Sequence, residues 1–329
     1  MSRSSAWGSA LVAAAMLAGP TIAHADEPAP VSRLESIDKG AAPYWNVGVY
    51  SAAMDKTIPL QVYRAASPSA PVLYLLNGVD GGVTDAGWSG TTDVANFVRD
   101  KDVTVVIPIG GNGSYYTDWR ADDPVLGRNK WATFLTAELP PIVDAALGGN
   151  GRNAIAGISM AGASVLQLAA AAPGLYRAAA SYSGCARTSD PMGQALVRLV
   201  VDMKAHGNAD NMWGPSSDPA WLEHDTYEHA DRLRGLALYL STGSGVPGPL
   251  DVPSAPGING DPELYAQQMT VGALIEAVMQ NCTIQLRDKL NSLDIPATYK
   301  FRSGTHTWAY WQEDLHDSWT TTLAPALGL

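Results

Sequence analysis

The chain has 329 residues, 46% of them hydrophobic and 16% charged, and a formal net charge of −11. That length and balance suit one large globular domain with a substantial core, and exclude a disordered or low-complexity chain. The acidic charge and the absence of any run of Lys and Arg exclude a nucleic-acid-binding surface.

In chain order, the first residues read as an export signal. Arg3 supplies a positive start, Trp7 to Ala18 a short apolar run, and Ala23-His24-Ala25 a small-x-small cleavage site. Residues 1–25 are therefore expected to be removed, leaving a mature chain that begins near Asp26. The apolar run is too short to span a bilayer comfortably, and no later segment is apolar for long enough. Residues 26–45 hold many Pro, Ser and Glu and read as a loosely ordered N-terminal extension; residues 46–329 read as a single domain.

Val47 to Val62 alternates in patches and predicts two early strands. Pro71 to Leu76 is a short apolar run stopped by Asn77-Gly78, and Val103 to Pro108 is another, stopped by Gly110-Gly111. Asp93 to Asp100 predicts a helix between them. Lys130 to Ala146 predicts a further helix, which Pro140-Pro141 could break. Ala154 to Ile158 is a buried strand followed by a helix over Ala161 to Ala172; Ala178 to Tyr182, Ala237 to Ser241 and Thr298 to Phe301 complete the strands. Met192, Leu196, Leu199, Val200 and Met203 fall on one helical face inside an insertion over the sheet. Gly243 to Pro262 reads as a long irregular loop. Strands that read as continuous apolar runs and alternate with helices predict an α/β fold: a central, mostly parallel sheet covered on both faces, with ligand chemistry at the carboxyl ends of the strands.

Gly157-Ile158-Ser159-Met160-Ala161-Gly162 stands between a predicted strand and a predicted helix. That is the setting of a nucleophile elbow, in which small residues two before and two after the serine allow a tight turn and the next N–H faces the developing oxyanion. A serine hydroxyl needs a base. Of six histidines, His306 lies in a turn just after the last predicted strand, in keeping with the α/β-hydrolase order of serine, acid, histidine. Glu263, Glu276 and Asp288 all qualify as the acid by order, and the residues alone do not choose among them. A second oxyanion donor is expected after an early strand, at the N–H of Val79 beside Gly78, with Met160 the first. The two cysteines, Cys185 and Cys282, are expected to pair in an oxidising compartment. No metal-ligand or phosphate-loop motif is present, and no cofactor is expected. Trp213, Trp221, Trp308 and Trp311 read as core or as the lining of a sugar or lipid site.

Together these motifs resemble the antigen 85 mycolyltransferases and their corynebacterial-type relatives over most of residues 45–315. The matching stretches include Tyr74 to Gly78, Ser114 to Trp119, Lys130 to Pro140, Gly157 to Gly162, Met212 to Trp221 and Gly304 to Trp311. The resemblance implies an α/β-hydrolase fold with a catalytic triad of Ser159, Glu276 and His306, oxyanion donors at Val79 and Met160, and a groove for a long acyl chain along the 192–203 helix. It implies that Thr307 and Trp308 lie beside bound sugar. Asn77-Gly78-Val79-Asp80 stands where the family often has Asp-Gly-Leu-Arg, so Asn77 and Asp80 are the expected acceptor contacts, with an acidic acceptor in place of a cationic donor. The implied activity is that of a secreted monomer touching a lipid-rich cell envelope. It would move an acyl chain from a trehalose monoester to a sugar or protein acceptor. A secreted carboxylesterase and a non-catalytic cell-surface binding protein are the alternatives.

Overall fold

A computed structural model of the protein describes Met1, residues 31–84 and residues 86–329. The expected export signal, Met1 apart, lies outside the described residues. Nine strands form one sheet: β1 Arg33–Asp38, β2 Trp45–Ser51, β3 Lys56–Tyr63, β4 Ala70–Leu76, β5 Thr104–Pro108, β6 Gly149–Ile158, β7 Tyr176–Tyr182, β8 Ala237–Gly243 and β9 Thr298–Arg302, in the order β1-β2-β3-β5-β4-β6-β7-β8-β9. The first three run as antiparallel neighbours and join β5 antiparallel; from β5 to β9 every pairing is parallel.

The parallel strands are apolar on both faces because both faces are covered. Val72, Tyr74 and Leu76 point into one core with Phe134, Leu139 and Val165, while Leu73 and Leu75 point into the other with Trp88, Leu315 and Trp319. This two-residue alternation places a helical layer on each side of the sheet. The helix Met160–Ala171 is buried along nearly its whole length against β6 and β7. Residues 31–329 make one unit. Among the described residues no helix is long and apolar enough to cross a membrane.

Several expectations are corrected. The extension expected to be loosely ordered contains β1, an edge strand whose exposed residues, Leu34 apart, carry no apolar alternation. Asp93 to Asp100 supplies only one helical turn, Val94–Phe97. The prolines at 140 and 141 do not break their helix, because they occupy the first turn of Leu139–Leu147, where an N–H has no intrahelical partner; the π-helical turn Phe134–Glu138 leads into it.

The insertion leaves the sheet after β7 and returns at β8, so residues 183–236 form a roof of short helical pieces, beginning with Pro191–Arg198. Of its expected apolar face, Leu196, Leu199 and Val200 turn inward and only the two end residues, Met192 and Met203, do not. Gly193, Val197 and Val201 are buried, whereas Met192 and Met203 are 58% and 67% exposed. The helix changes to π geometry at Leu199–Lys204, so a 3.6-residue period drawn through both parts loses register.

Candidate active site

The serine comes first, because its backbone is the most constrained. β6 ends at Ile158, the helix begins at Met160, and Ser159 between them has φ 53° and ψ −121°. A non-glycine residue in that region is held there only by its surroundings. Ser159 N donates to Tyr182 O across the strand ends at 2.8 Å. Gly157 is required for space: a Cβ there would lie 2.9 Å from the Cβ of Ala161. The turn therefore lifts Ser159 Oγ out of the sheet rim.

His306 lies on the loop after β9. Its Nε2 is 2.8 Å from Ser159 Oγ, and its Nδ1 is 2.6 Å from Glu276 Oε2. Glu276, on the helix Ala273–Ser292, is fully buried. Burying a carboxylate is costly unless it is paired and hydrogen-bonded. Here Oε1 accepts from Gly243 N at 2.5 Å, Ser183 Oγ at 2.7 Å and Thr242 Oγ1 at 3.2 Å, while Oε2 meets His306. A buried carboxylate with these donors favours the Nδ1–H tautomer, which leaves Nε2 free to take a proton from the serine.

Three of these partners were not singled out from the sequence. Ser183 and Thr242 stand at the carboxyl ends of β7 and β8, where the parallel-sheet rule gathers chemistry, and that position is the signal that could have found them. Gly243, whose N–H reaches Glu276 Oε1, is the third; Trp311, which read as core or site lining, donates its Nε1 to Ser183 Oγ at 3.1 Å and stands edge-on to His306 at 4.8 Å. Asp251, in the long 244–261 loop, accepts from Thr305 Oγ1, Gln268 Nε2 and Tyr310 OH, fixing the residue before His306.

Ser159 and His306 open onto a cavity of about 240 Å³ whose walls are mainly apolar, with Leu196, Val200, Ile275 and Met279 among them. Val79 and Met160 border the same cavity. Among the described residues, the N–H groups of both donate to no protein acceptor. Cys185 and Cys282 form a disulfide with S–S 2.06 Å, and Cys185 is part of the cavity wall.

The four residues expected to contact sugar lie outside the lining of this apolar cavity. Asn77 is fully buried; its Oδ1 accepts from Trp88 N, and Gly82, at φ 72°, presses so close that a Cβ there would come 2.4 Å from Asn77 Nδ2. Asn77 therefore holds the 78–88 loop from beneath instead of facing ligand. Asp80 binds Gly82 N and Thr84 Oγ1 within its own turn. Thr307 is buried ahead of the helix Trp308–Ser318. Trp308 packs edge-on between Trp88 and Trp311, half-buried. None of the four borders the cavity at Ser159. Trp213 and Trp221 are core residues, packed edge-on to each other at 5.2 Å.

Comparison with known proteins agrees with this fold. The family described as "Putative esterase" matches residues 51–321. The diacylglycerol acyltransferase/mycolyltransferase Ag85A of Mycobacterium leprae (strain TN) is 31% identical over 294 residues, covering 86% of this chain and 83% of that protein. The corresponding Ag85B of Mycobacterium avium is 32% identical over 278 residues, covering 82% and 79%. Among solved structures, MPT51 (FbpC1) of Mycobacterium tuberculosis superposes with a TM-score of 0.69 at 25% identity, over 88% of this chain and 99% of that one.

Proposed function

We propose, for a chain that belongs to this esterase family and within it to the Ag85 mycolyltransferase group, an exported transferase that moves a long acyl chain from a trehalose monoester to a sugar hydroxyl through an acyl-Ser159 intermediate. The family makes the protein an enzyme of the acyltransferase/esterase type. The single observation that carries the finer reading is the unbroken line Glu276–His306–Ser159 opening onto an apolar cavity.

In the first half-reaction Ser159 Oγ gives its proton to His306 Nε2 and attacks the ester carbonyl carbon. The N–H groups of Val79 and Met160 hold the oxyanion, each worth about 3 kcal/mol in comparable sites. Glu276 holds His306 in orientation and stabilises its cation. Collapse breaks the ester bond, and the departing sugar oxygen takes the proton from Nε2. In the second half-reaction an incoming hydroxyl gives its proton to Nε2 and attacks the acyl carbonyl, releasing Ser159. The apolar walls suit the acyl part of the donor, and the exposed Met192 and Met203 on the roof suit contact with a lipid-rich envelope. Export through residues 1–25, and one domain from residue 46 onward, belong to the same reading; the disulfide is in keeping with an oxidising compartment.

Incubation with a trehalose monoester and a second sugar acceptor tests the proposal. A diacylated product supports transfer. Free acid alone favours the second reading, a secreted carboxylesterase with water as acceptor, which the family description also fits. Absence of fluorophosphonate labelling at Ser159 would point instead to a non-catalytic surface protein.

A further inference from the structure

The cavity at Ser159 has a neighbour. A second cavity of about 340 Å³ lies on the far side of a thin partition, and Cys185, Arg187 and Gly193 border both. The inner space is walled by Leu196, Ile275 and Met279, the outer one by Met192, Ala277 and Val278, so both run between the helix Pro191–Arg198 and the helix Ala273–Ser292.

The partition has one movable part. Cys185 is locked in the disulfide. Gly193 has no side chain to withdraw, and its backbone is so close that a Cβ would lie 2.3 Å from Arg187 O. Arg187, by contrast, reaches across the gap: Nη1 donates to Gln285 Oε1 at 2.5 Å on the opposite helix, and Nη2 meets Asp190 Oδ2 at 3.1 Å. Its guanidinium also lies over the Tyr227 ring at 5.0 Å, and its Nε is buried without a partner. A charged group at the end of an apolar channel opposes further entry of a hydrocarbon chain, because the chain must displace polar contacts without replacing them. The side chain is long and flexible, so it is able to swing aside.

We propose that Arg187 sets the length of acyl chain the protein takes. A short chain attached at Ser159 is housed in the inner cavity. A long one continues into the outer cavity only when the guanidinium releases Gln285. The inference rests on the Ser159 reading and adds to it a residue that selects among acyl donors.

Hydrolysis of the p-nitrophenyl esters of butyrate, octanoate and palmitate by the full chain tests it, in wild type, Arg187→Ala and Gln285→Ala. The expected result is a rise in the palmitate-to-butyrate ratio of kcat/KM of about tenfold for Arg187→Ala, the worth of roughly two buried methylenes. Gln285→Ala, which removes the hydrogen bond across the gap but leaves the arginine its contacts with Asp190 and Tyr227, raises the ratio by a smaller factor, about threefold. An unmoved ratio in both variants overturns the proposal and leaves the Ser159 reading standing. So does an equal loss on all three esters, which reports damage to the fold and not selection by length. A wild-type protein that neither turns over any of the esters nor reacts with a fluorophosphonate sinks the Ser159 reading and this one with it.

Discussion

The sheet rim and the roof above it are built on different principles. At the rim, Ser159, Ser183 and Thr242 sit at the ends of adjacent parallel strands, so their spacing follows from the ladder itself. In the roof, short helical pieces are held by aspartate side chains that cap irregular backbone. Asp225 accepts from Thr188 N, Ser189 N and Ser189 Oγ; Asp123 accepts from Asn208 N and Asn211 Nδ2; Asp202 accepts from Ala209 N. The rim fixes where bonds are made and broken. The roof borders the space at Ser159. Variants in the two regions should therefore fail in different ways.

The rim should give the largest effects. Ser159→Ala is expected to lower turnover of a p-nitrophenyl ester by about 10⁴-fold or more while the melting temperature stays put. Residual turnover near the wild-type rate would show that another group is the nucleophile. Next comes Glu276→Gln, with a loss of about 10³- to 10⁴-fold in kcat, because the amide no longer stabilises the imidazolium. Ser183→Ala removes one of the donors to the buried carboxylate and should cost about tenfold in kcat. That loss should leave KM little changed; a pure KM effect would move Ser183 from the rim's machinery to the roof's.

A roof variant should show the reverse pattern. Asp225→Ala leaves four donors, Glu228 N among them, without their acceptor and is expected to destabilise by about 2–4 kcal/mol in urea unfolding. Its kcat on butyrate should hold while KM for palmitate rises. A kcat loss as large as that of Ser183→Ala would erase the distinction between the two regions.

The smallest effect is a pH dependence beneath the rim. Asp314, on the helix Trp308–Ser318, is buried and its carboxyl is pushed up to about 6 by that burial, against the pull of Arg302 at 2.7 Å. Between the ordinary carboxylate range and that value the folded chain binds more protons than the unfolded one, so this group's contribution to stability declines as pH rises through the window. Melting temperatures of wild type and Asp314→Asn should thus shift against the wild type as pH is raised through it. A gap that does not change with pH would mean that Arg302 fully offsets the burial.

The parts that could be read from the sequence were those whose neighbours in space are also neighbours in pattern. β4 to β8 show as apolar runs because they are buried on both sides, and Ser159 shows because its turn admits only small residues at 157 and 161. Order along the chain left Glu263, Glu276 and Asp288 equal. The structure leaves Glu263 and Asp288 exposed and sets Glu276 against His306, since only its turn of the helix faces the end of β8. That facing is a tertiary fact, and resemblance to a family, not periodicity, singled it out. β1 was missed because an edge strand carries polar residues; on the 191–204 helix Leu196, Leu199 and Val200 turn inward as expected, while Met203 lies past the change to π geometry and is exposed. The structural part of Asn77 was not legible for a related reason: the groups that hold a turn together are chosen by tertiary contacts, here the N–H of Trp88.

The bridge between Cys185 and Cys282 has one more consequence. The bonded residues are 97 positions apart, and the whole roof lies between them. If a protease cuts the chain anywhere in that interval, the piece bearing residue 159 and the piece bearing residue 306 remain one covalent body. Nicking in the most irregular segment thus does not part the two halves of the catalytic line.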